Sequence, residues 1–440
     1  MKLMKNPLKQ IVTAQKEGRA IGIYSCCSAN EYVIKAALKK GKEDDSCVLI
    51  ESTANQSDQY GGYTGMKPAD FKAFVEKLAD EIGFNKAKLF LGGDHLGPLT
   101  FTDKPEAEAM KEAAELIRCY VGAGFTKIHI DTSMRVADDD QNARLSDETI
   151  ARRGAELAVV AEETFKKYQK EHPDAVEPVY IIGSEVPIPG GQQGGAAGDH
   201  VEVTKPEDFR ATLATFEKAF KDHGLDHAWD NVIGIVVQPG VEEKDAGCTE
   251  YDRSKAVDLM AAIKAYDNVV FEGHSTDYQT KIKLREMVED GVGILKVGPA
   301  LTYAMREALF ALSFAEDELY DEDERSHFRQ VLDEAMLANP KNWKKHYVGT
   351  EKEIALKRKY SFSDRSRYYM PVESVVKARE VLLKHFENGV PLNLLSQFMP
   401  IQYTKVREGV IENSPEALII DRVCNCIDEY LYATHQKELF

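Results

Sequence analysis

The sequence predicts an α/β fold, a (β/α)8 TIM barrel with a C-terminal α-helical extension. Eight short apolar runs between about residues 20 and 300 each end in a polar or charged group, and nearly every run is followed by enough chain for a helix. The runs are continuously β-branched and aliphatic rather than alternating, as parallel strands buried on both faces must be. In such barrels the chemistry sits where strands end and βα loops begin. The polar run ends are therefore the candidate site.

In chain order the runs are 21–24 into Ser25 and Cys26, 47–50 into Glu51, 88–91 into Asp94 and His95, and 128–131, which ends on Asp131. The second half has 179–182 into Glu185, 232–237 into Gln238, 269–272 into His274, and 294–297 into Gly298. Amphipathic patterns predict helices over 31–40, 68–83, 105–122, 147–170, 205–223, 252–265 and 278–290. Ser146 before Asp147 and Glu148 is a cap, and Pro68 suits a first turn. Helices alternating with such strands give an α/β fold.

Past Pro299 the pattern is wholly helical, over 300–318, 324–337, 351–359, 372–388 and 415–436. A barrel takes roughly 250 residues, so a chain of 440 divides into a barrel domain, 1–318, and a helical region, 319–440. Two segments interrupt the regular pattern. The glycine-rich loop 187–198 reads as a lid over the site. Segment 360–369, with two arginines and three tyrosines, reads as a packing loop or as a basic arm folded back to bind phosphate.

Charge and composition narrow the function. The net charge of −17 repels nucleic acid and anionic membrane, so a phosphorylated ligand needs a local cationic pocket. The sequence has no apolar run of eighteen residues and no N-terminal signal-like segment, and a cytoplasmic location is expected. Seven cysteines without paired zinc-cluster spacing read as free thiols.

His95 and His274 at separate run ends, with carboxylates nearby, make a candidate divalent-metal site. Imidazole suits zinc and related metals, manganese, nickel or cobalt among them, and a catalytic site needs about three protein ligands. His129 lies two residues before Asp131, on the same strand face. Asp94 places an acid or base beside the first ligand, and the glycines before it loosen the strand so that both neighbours reach the mouth. Glu51, Asp131, Glu185 and Glu272 supply further carboxylates, and Lys296 is the one cation expected on the strands. Neither a P-loop nor a dinucleotide-binding glycine pattern is present, which argues against a P-loop kinase or a Rossmann dehydrogenase. Ser275 and Gly298 stand where barrels commonly bind phosphate, with Arg365 and Arg367 as the candidate cations.

At these strand ends the sequence resembles the GatZ/KbaZ family, known as an accessory subunit of class II tagatose-1,6-bisphosphate aldolase. The resemblance rests on residues 27–29, 55–56, 59–66 (QYGGYTGM), 92–98 (GGDHLGP), 127–134 (KIHIDTSM), 185–191 (EVPIPGG), 236–242, 274–280 (HSTDYQT), 296–302 and 360–369. It implies a phosphorylated ketohexose as ligand and a homo-oligomer. Two functions follow from it: C4 epimerisation of fructose 6-phosphate and tagatose 6-phosphate by aldolase-like chemistry, or a non-catalytic role stabilising a class II aldolase catalytic subunit. On the more distant class II aldolase pattern, Asp94 matches the proton-transfer Asp, His95 the first metal ligand and His274 the last. Gln238 stands where the middle histidine belongs, so either Glu185 or another carboxylate is expected to complete the shell, or the metal is weakly held. Asp94 and Asp131 are then the proton-moving groups, and Glu51, Gln238, Ser275, Lys296, Gly298, Arg365 and Arg367 the substrate contacts.

Overall fold

All eight runs form strands in the computed structural model, which describes residues 4–184 and 201–439. They are β1 (Ile23–Cys27), β2 (Val48–Thr53), β3 (Leu89–Leu96), β4 (Lys127–Ile130), β5 (Val179–Ile182), β6 (Val232–Val237), β7 (Val270–Gly273) and β8 (Val292–Val297). Each pairs in parallel with its sequence neighbours, and β8 closes on β1 from Ile23↔Ile294 to Cys26↔Val297. The result is a closed (β/α)8 barrel.

The expected helices follow their strands, for example Glu31–Glu43, Glu106–Gly122 and Asp147–Glu171. Asn30 caps the first of these through Tyr32 and Val33, and Ser146 caps the last through Thr149. An additional helix, Lys9–Lys16, buries Ile11, Val12 and Ala14 in one apolar cluster with Ile23, Leu49, Val179, Ile181, Val270 and Ile294. Apolar side chains thus fill one layer of the barrel interior. The polar layer lies towards the strand ends, where the site is built.

The C-terminal region is helical as expected, and its last long helix, Pro415–Thr434, returns to the barrel. Tyr430 donates to the Thr276 carbonyl at 2.9 Å, and Gln436 donates to the Cys47 carbonyl at 2.7 Å while accepting from the Tyr24 amide. One continuous apolar core runs from the barrel helices through Ile419, Val423 and Ile427. A short antiparallel hairpin, Glu242–Glu243 against Cys248–Thr249, rises after β6. Among the described residues no helix is long and apolar enough to cross a membrane. The seven cysteines are free.

Candidate active site

Two local features of β3 and β4 build the site. Along β4 and just beyond it, Lys127, His129 and Asp131 alternate onto one face, and all three are buried. On β3 the neighbours Asp94 and His95 both turn inward, which an unbroken strand forbids. The break is at His95 itself, with φ +52°, and the register between β3 and β4 shifts between Gly93 and Leu96. Bulges of this kind re-aim side chains near active sites. The motif's glycines serve close packing instead. A Cβ on Gly92 would sit 2.7 Å from Glu51 Cγ, and one on Gly97 would sit 1.7 Å from the Asp131 carbonyl oxygen.

Beneath the mouth lies a buried charge cluster. Lys296 Nζ lies 2.6 Å from Glu51 Oε2 and 2.5 Å from Asp94 Oδ1. Lys296 is not the one cation of the strands: Lys127, fully buried, lies 2.6 Å from Glu51 Oε1 and 2.8 Å from Glu272 Oε2, contacts between charges without hydrogen-bond alignment. Burial works against ionising Asp94, yet His95 and Lys296 hold its carboxyl well below the usual carboxylate range. Burial likewise opposes the charged form of Asp131, which the His95 contact nonetheless brings down to about 2.

Above this cluster stand three imidazoles, His95, His129 and His274, with centroids 5.1, 5.2 and 5.2 Å apart. Each is held by its own carboxylate. His95 Nδ1 is 2.7 Å from Asp131 Oδ2, His129 Nδ1 is 2.9 Å from Asp94 Oδ1, and His274 Nε2 is 2.9 Å from Glu272 Oε1. The His95 amide also points at His129 Nδ1, at 3.1 Å. The ionised Asp94 decides that tautomer, because its oxygen would repel a bare nitrogen lone pair. His129 and His274 then each give a proton to a carboxylate and keep a lone pair on the other nitrogen, the arrangement that carboxylates impose on metal-binding histidines; at His95 burial opposes the charged form, but Asp94 and Asp131 raise the ring above the usual imidazole range.

His129 Nε2 is buried with no hydrogen-bond partner among the described residues. That orphaned atom, more than any other, fits a divalent ion. One ligand atom each from Asp94, His129, Glu272 and His274 lies within 4.8 Å of the others. His95 falls outside this tightest set but completes the triangle, and three imidazoles on one tetrahedral zinc would have centroids ~5.2 Å apart, given Zn–N bonds of about 2.0–2.1 Å. Burial pushes His274 down to about 4, so it is neutral, as a ligand must be.

A cavity opens over His95 and His274, lined by Cys27, Thr53, Asp94, Lys296 and Ser275 among others. The 360–369 segment forms one wall. Phe362 stacks on Tyr278 at 4.1 Å and its amide bonds the Asp245 carbonyl, while Thr302 donates to Asp364. Arg367 and Tyr368 line the cavity, and Tyr368 packs edge-on against Tyr63 of the Gly-rich loop after β2 at 4.9 Å. Arg365 turns away to the Asn342 carbonyl, leaving its Nε and Nη2 buried without partners.

Other expected residues are placed differently. Gln238 spends its side-chain oxygen on its own turn, accepting from the Gly240 and Val241 amides. The Gly298 amide, expected to cradle phosphate, donates to Asp277 Oδ1 at 3.0 Å, and the Ala300 amide donates to the same oxygen at 2.8 Å. Glu51 is entirely buried below the cavity. Glu185 and the predicted lid, 187–198, lie outside the described residues. Sequence reasoning missed His129 as a member of the imidazole triangle, and Lys127 as a cation; the period-two series Lys127, His129, Asp131 was the available signal. It also missed Glu243 and Asp277 in the cavity wall, which no local pattern marks.

Fold and site together define an aldolase-like (β/α)8 barrel. The chain belongs to the family described as D-tagatose-1,6-bisphosphate aldolase subunit GatZ/KbaZ-like, whose model it matches over residues 8–435. It is similar to the crystal structure of a probable tagatose 6-phosphate kinase from Sinorhizobium meliloti 1021, at 41% identity and a TM-score of 0.85, covering 94% of this chain and 100% of that one. A putative fructose-1,6-bisphosphate aldolase from Coccidioides immitis (15% identity, 86% of this chain, 98% of that one) and the fructose-bisphosphate aldolase of Campylobacter jejuni (14%, 88% and 94%) match at TM-scores of 0.40. Those two are too distant to bear on this chain's chemistry.

Proposed function

We propose that the chain is a metal-dependent enzyme acting on a phosphorylated ketohexose, and that it inverts C4 between fructose 6-phosphate and tagatose 6-phosphate. The observation that carries this reading is the triangle of His95, His129 and His274, each fixed by a carboxylate, with His129 Nε2 left without a hydrogen-bond partner among the described residues. These three residues would hold the ion, with zinc, manganese, nickel or cobalt as the candidates. When bound, such an ion polarises a ketose carbonyl and an adjacent hydroxyl. Gln238, occupied in its turn, takes no part in the shell.

The chain's own groups do the rest. Asp131 accepts from His95 with one oxygen and from the Ser133 amide and hydroxyl with the other, so it orients rather than transfers. Asp94 Oδ2 meets the Thr53 hydroxyl at 3.3 Å and lies 3.7 Å from His95 Nε2, and the residue lines the cavity, so it is the acceptor for the proton of the 4-hydroxyl. Loss of that proton breaks the C3–C4 bond, its electron pair moving towards the carbonyl. Rotation of the aldehyde and re-addition at its other face re-forms the bond with C4 inverted, the new C4 oxygen taking back the proton that Asp94 had accepted. Arg367 gives the cavity wall a fixed cation for the phosphate, which the net charge of −17 otherwise disfavours. A kinase reading has no nucleotide loop to rest on.

The test is to incubate metal-reconstituted protein with fructose 6-phosphate and follow it by NMR. Tagatose 6-phosphate alone supports the epimerase, and triose products support an aldolase. No change refutes both and favours a non-catalytic role as an aldolase subunit.

A further inference from the structure

Asp94 takes the proton of the 4-hydroxyl and returns it when the bond re-forms. The ketose carbonyl oxygen, which gains negative charge as the C3–C4 bond breaks, is left without a protein acid in that scheme. The cavity wall contains a second acidic pair that no part of the argument has used. Glu243, on the hairpin after β6, and Asp277, in the loop after β7, both line the cavity and are 3% and 2% exposed. Asp277 is anchored through Oδ1 by the Gly298 and Ala300 amides. Glu243 Oε2 is buried and accepts no hydrogen bond among the described residues.

An ionised carboxylate with an orphaned buried oxygen is costly, and a neighbouring carboxylate makes it costlier. A proton on Glu243 removes both penalties. Arg367 from the C-terminal arm and Ser275 from the loop after β7 face the pair and favour its ionised form; Tyr278, Cys248, Tyr430 and Cys426, all held in their neutral forms by burial, also surround it, and Glu242 and Lys244 adjoin Glu243 in sequence. Burial and Asp277 outweigh the first two, pushing Glu243 up to about 7, and burial raises Asp277 to about 6.

We propose that Glu243, backed by Asp277, is the second proton-transfer group of this site, donating to the substrate oxygen that Asp94 does not serve and recovering its proton when the bond re-forms. The inference rests on the enzymatic reading above. It explains why the helix-terminal amides near Gly298, a ready anion site, are given to Asp277. They hold the partner that keeps Glu243 protonated.

The test compares wild type, Glu243→Gln, Glu243→Asp and Asp277→Asn on fructose 6-phosphate, with bound metal measured in each, alongside infrared titration of the protonated-carboxyl band. Glu243→Gln is expected to lower kcat by roughly 10²-fold or more, the range for lost acid–base catalysis, with metal content and KM within about twofold. Glu243→Asp should recover part of the rate. In wild type, kcat should fall as pH rises through about 7, and Asp277→Asn should move that limb. The infrared band should titrate over the same range and vanish in Glu243→Gln. Unchanged kcat in Glu243→Gln, or no such band in wild type, overturns the proposal while leaving the enzymatic reading intact. An inactive wild type overturns that reading and the proton-transfer role with it, whatever the band shows.

Discussion

Replacing Lys127 by Met tests the buried charge cluster, because the new side chain keeps the length and removes the charge. Lys127 is fully buried, between Glu51 at 2.6 Å and Glu272 at 2.8 Å. Its loss leaves two buried carboxylates without that partner. Removing one partner of a buried ion pair costs about 3–5 kcal/mol. Unfolding entropy of ~2.1 cal/mol/K per residue gives about 0.9 kcal/mol/K for the whole chain unfolding together, so Tm should fall by about 3–5 °C. Calorimetry at pH 7 on the metal-free protein measures it. Adding Glu51→Gln removes one stranded charge, so the double variant should lose less than the two single losses combined. A Tm within about 1 °C of wild type, or strict additivity with Glu51→Gln, would refute the claim that these charges are mutually compensating.

Asp94→Asn keeps the shape but removes the acceptor, so kcat should fall by roughly 10²-fold or more with bound metal nearly unchanged; steady-state kinetics with metal analysis reads both, and unchanged kcat would make Asp94 structural. Arg367→Ala should weaken binding of fructose 6-phosphate far more than of fructose, with the difference shrinking as salt rises; calorimetric titration showing equal losses would assign Arg367 to packing of the C-terminal arm. Stability should also follow the acidic pair. Glu243 and Asp277 are raised in the folded state, so their contribution is fully present below about pH 4 and is lost as pH rises through 6 to 7. Wild-type Tm should therefore fall more steeply between pH 5 and 8 than that of Glu243→Gln, and parallel Tm curves would contradict the raised values.

The barrel was legible because parallel strands buried on both faces leave unbroken aliphatic runs, as Val232 to Val237 does, and because caps such as Ser146 mark helix starts. The site was legible only where chemistry coincides with a run end. His95 and His274 stand out there, whereas His129 sits between Ile128 and Ile130 and looks like a core histidine until the barrel gathers three strands around it. The inward turn of His95 depends on its own positive φ, which the preceding glycines obscured as the apparent cause. Gln238 and Gly298 occupy the expected strand ends, but a turn and the Asp277 carboxylate have already claimed their polar groups. Glu243 becomes part of the site only through contacts across loops far apart in sequence, and burial, not residue type, gives it its chemistry.

The account's central claim is that His95, His129 and His274 together hold one divalent ion. Elemental analysis after metal reconstitution, with X-ray absorption to count nitrogen ligands, tests it most directly. One ion per chain bound by three imidazoles is the predicted result, lost in His129→Ala as fully as in His95→Ala or His274→Ala. Stoichiometric metal in His129→Ala, with the nitrogen count of wild type, would contradict it.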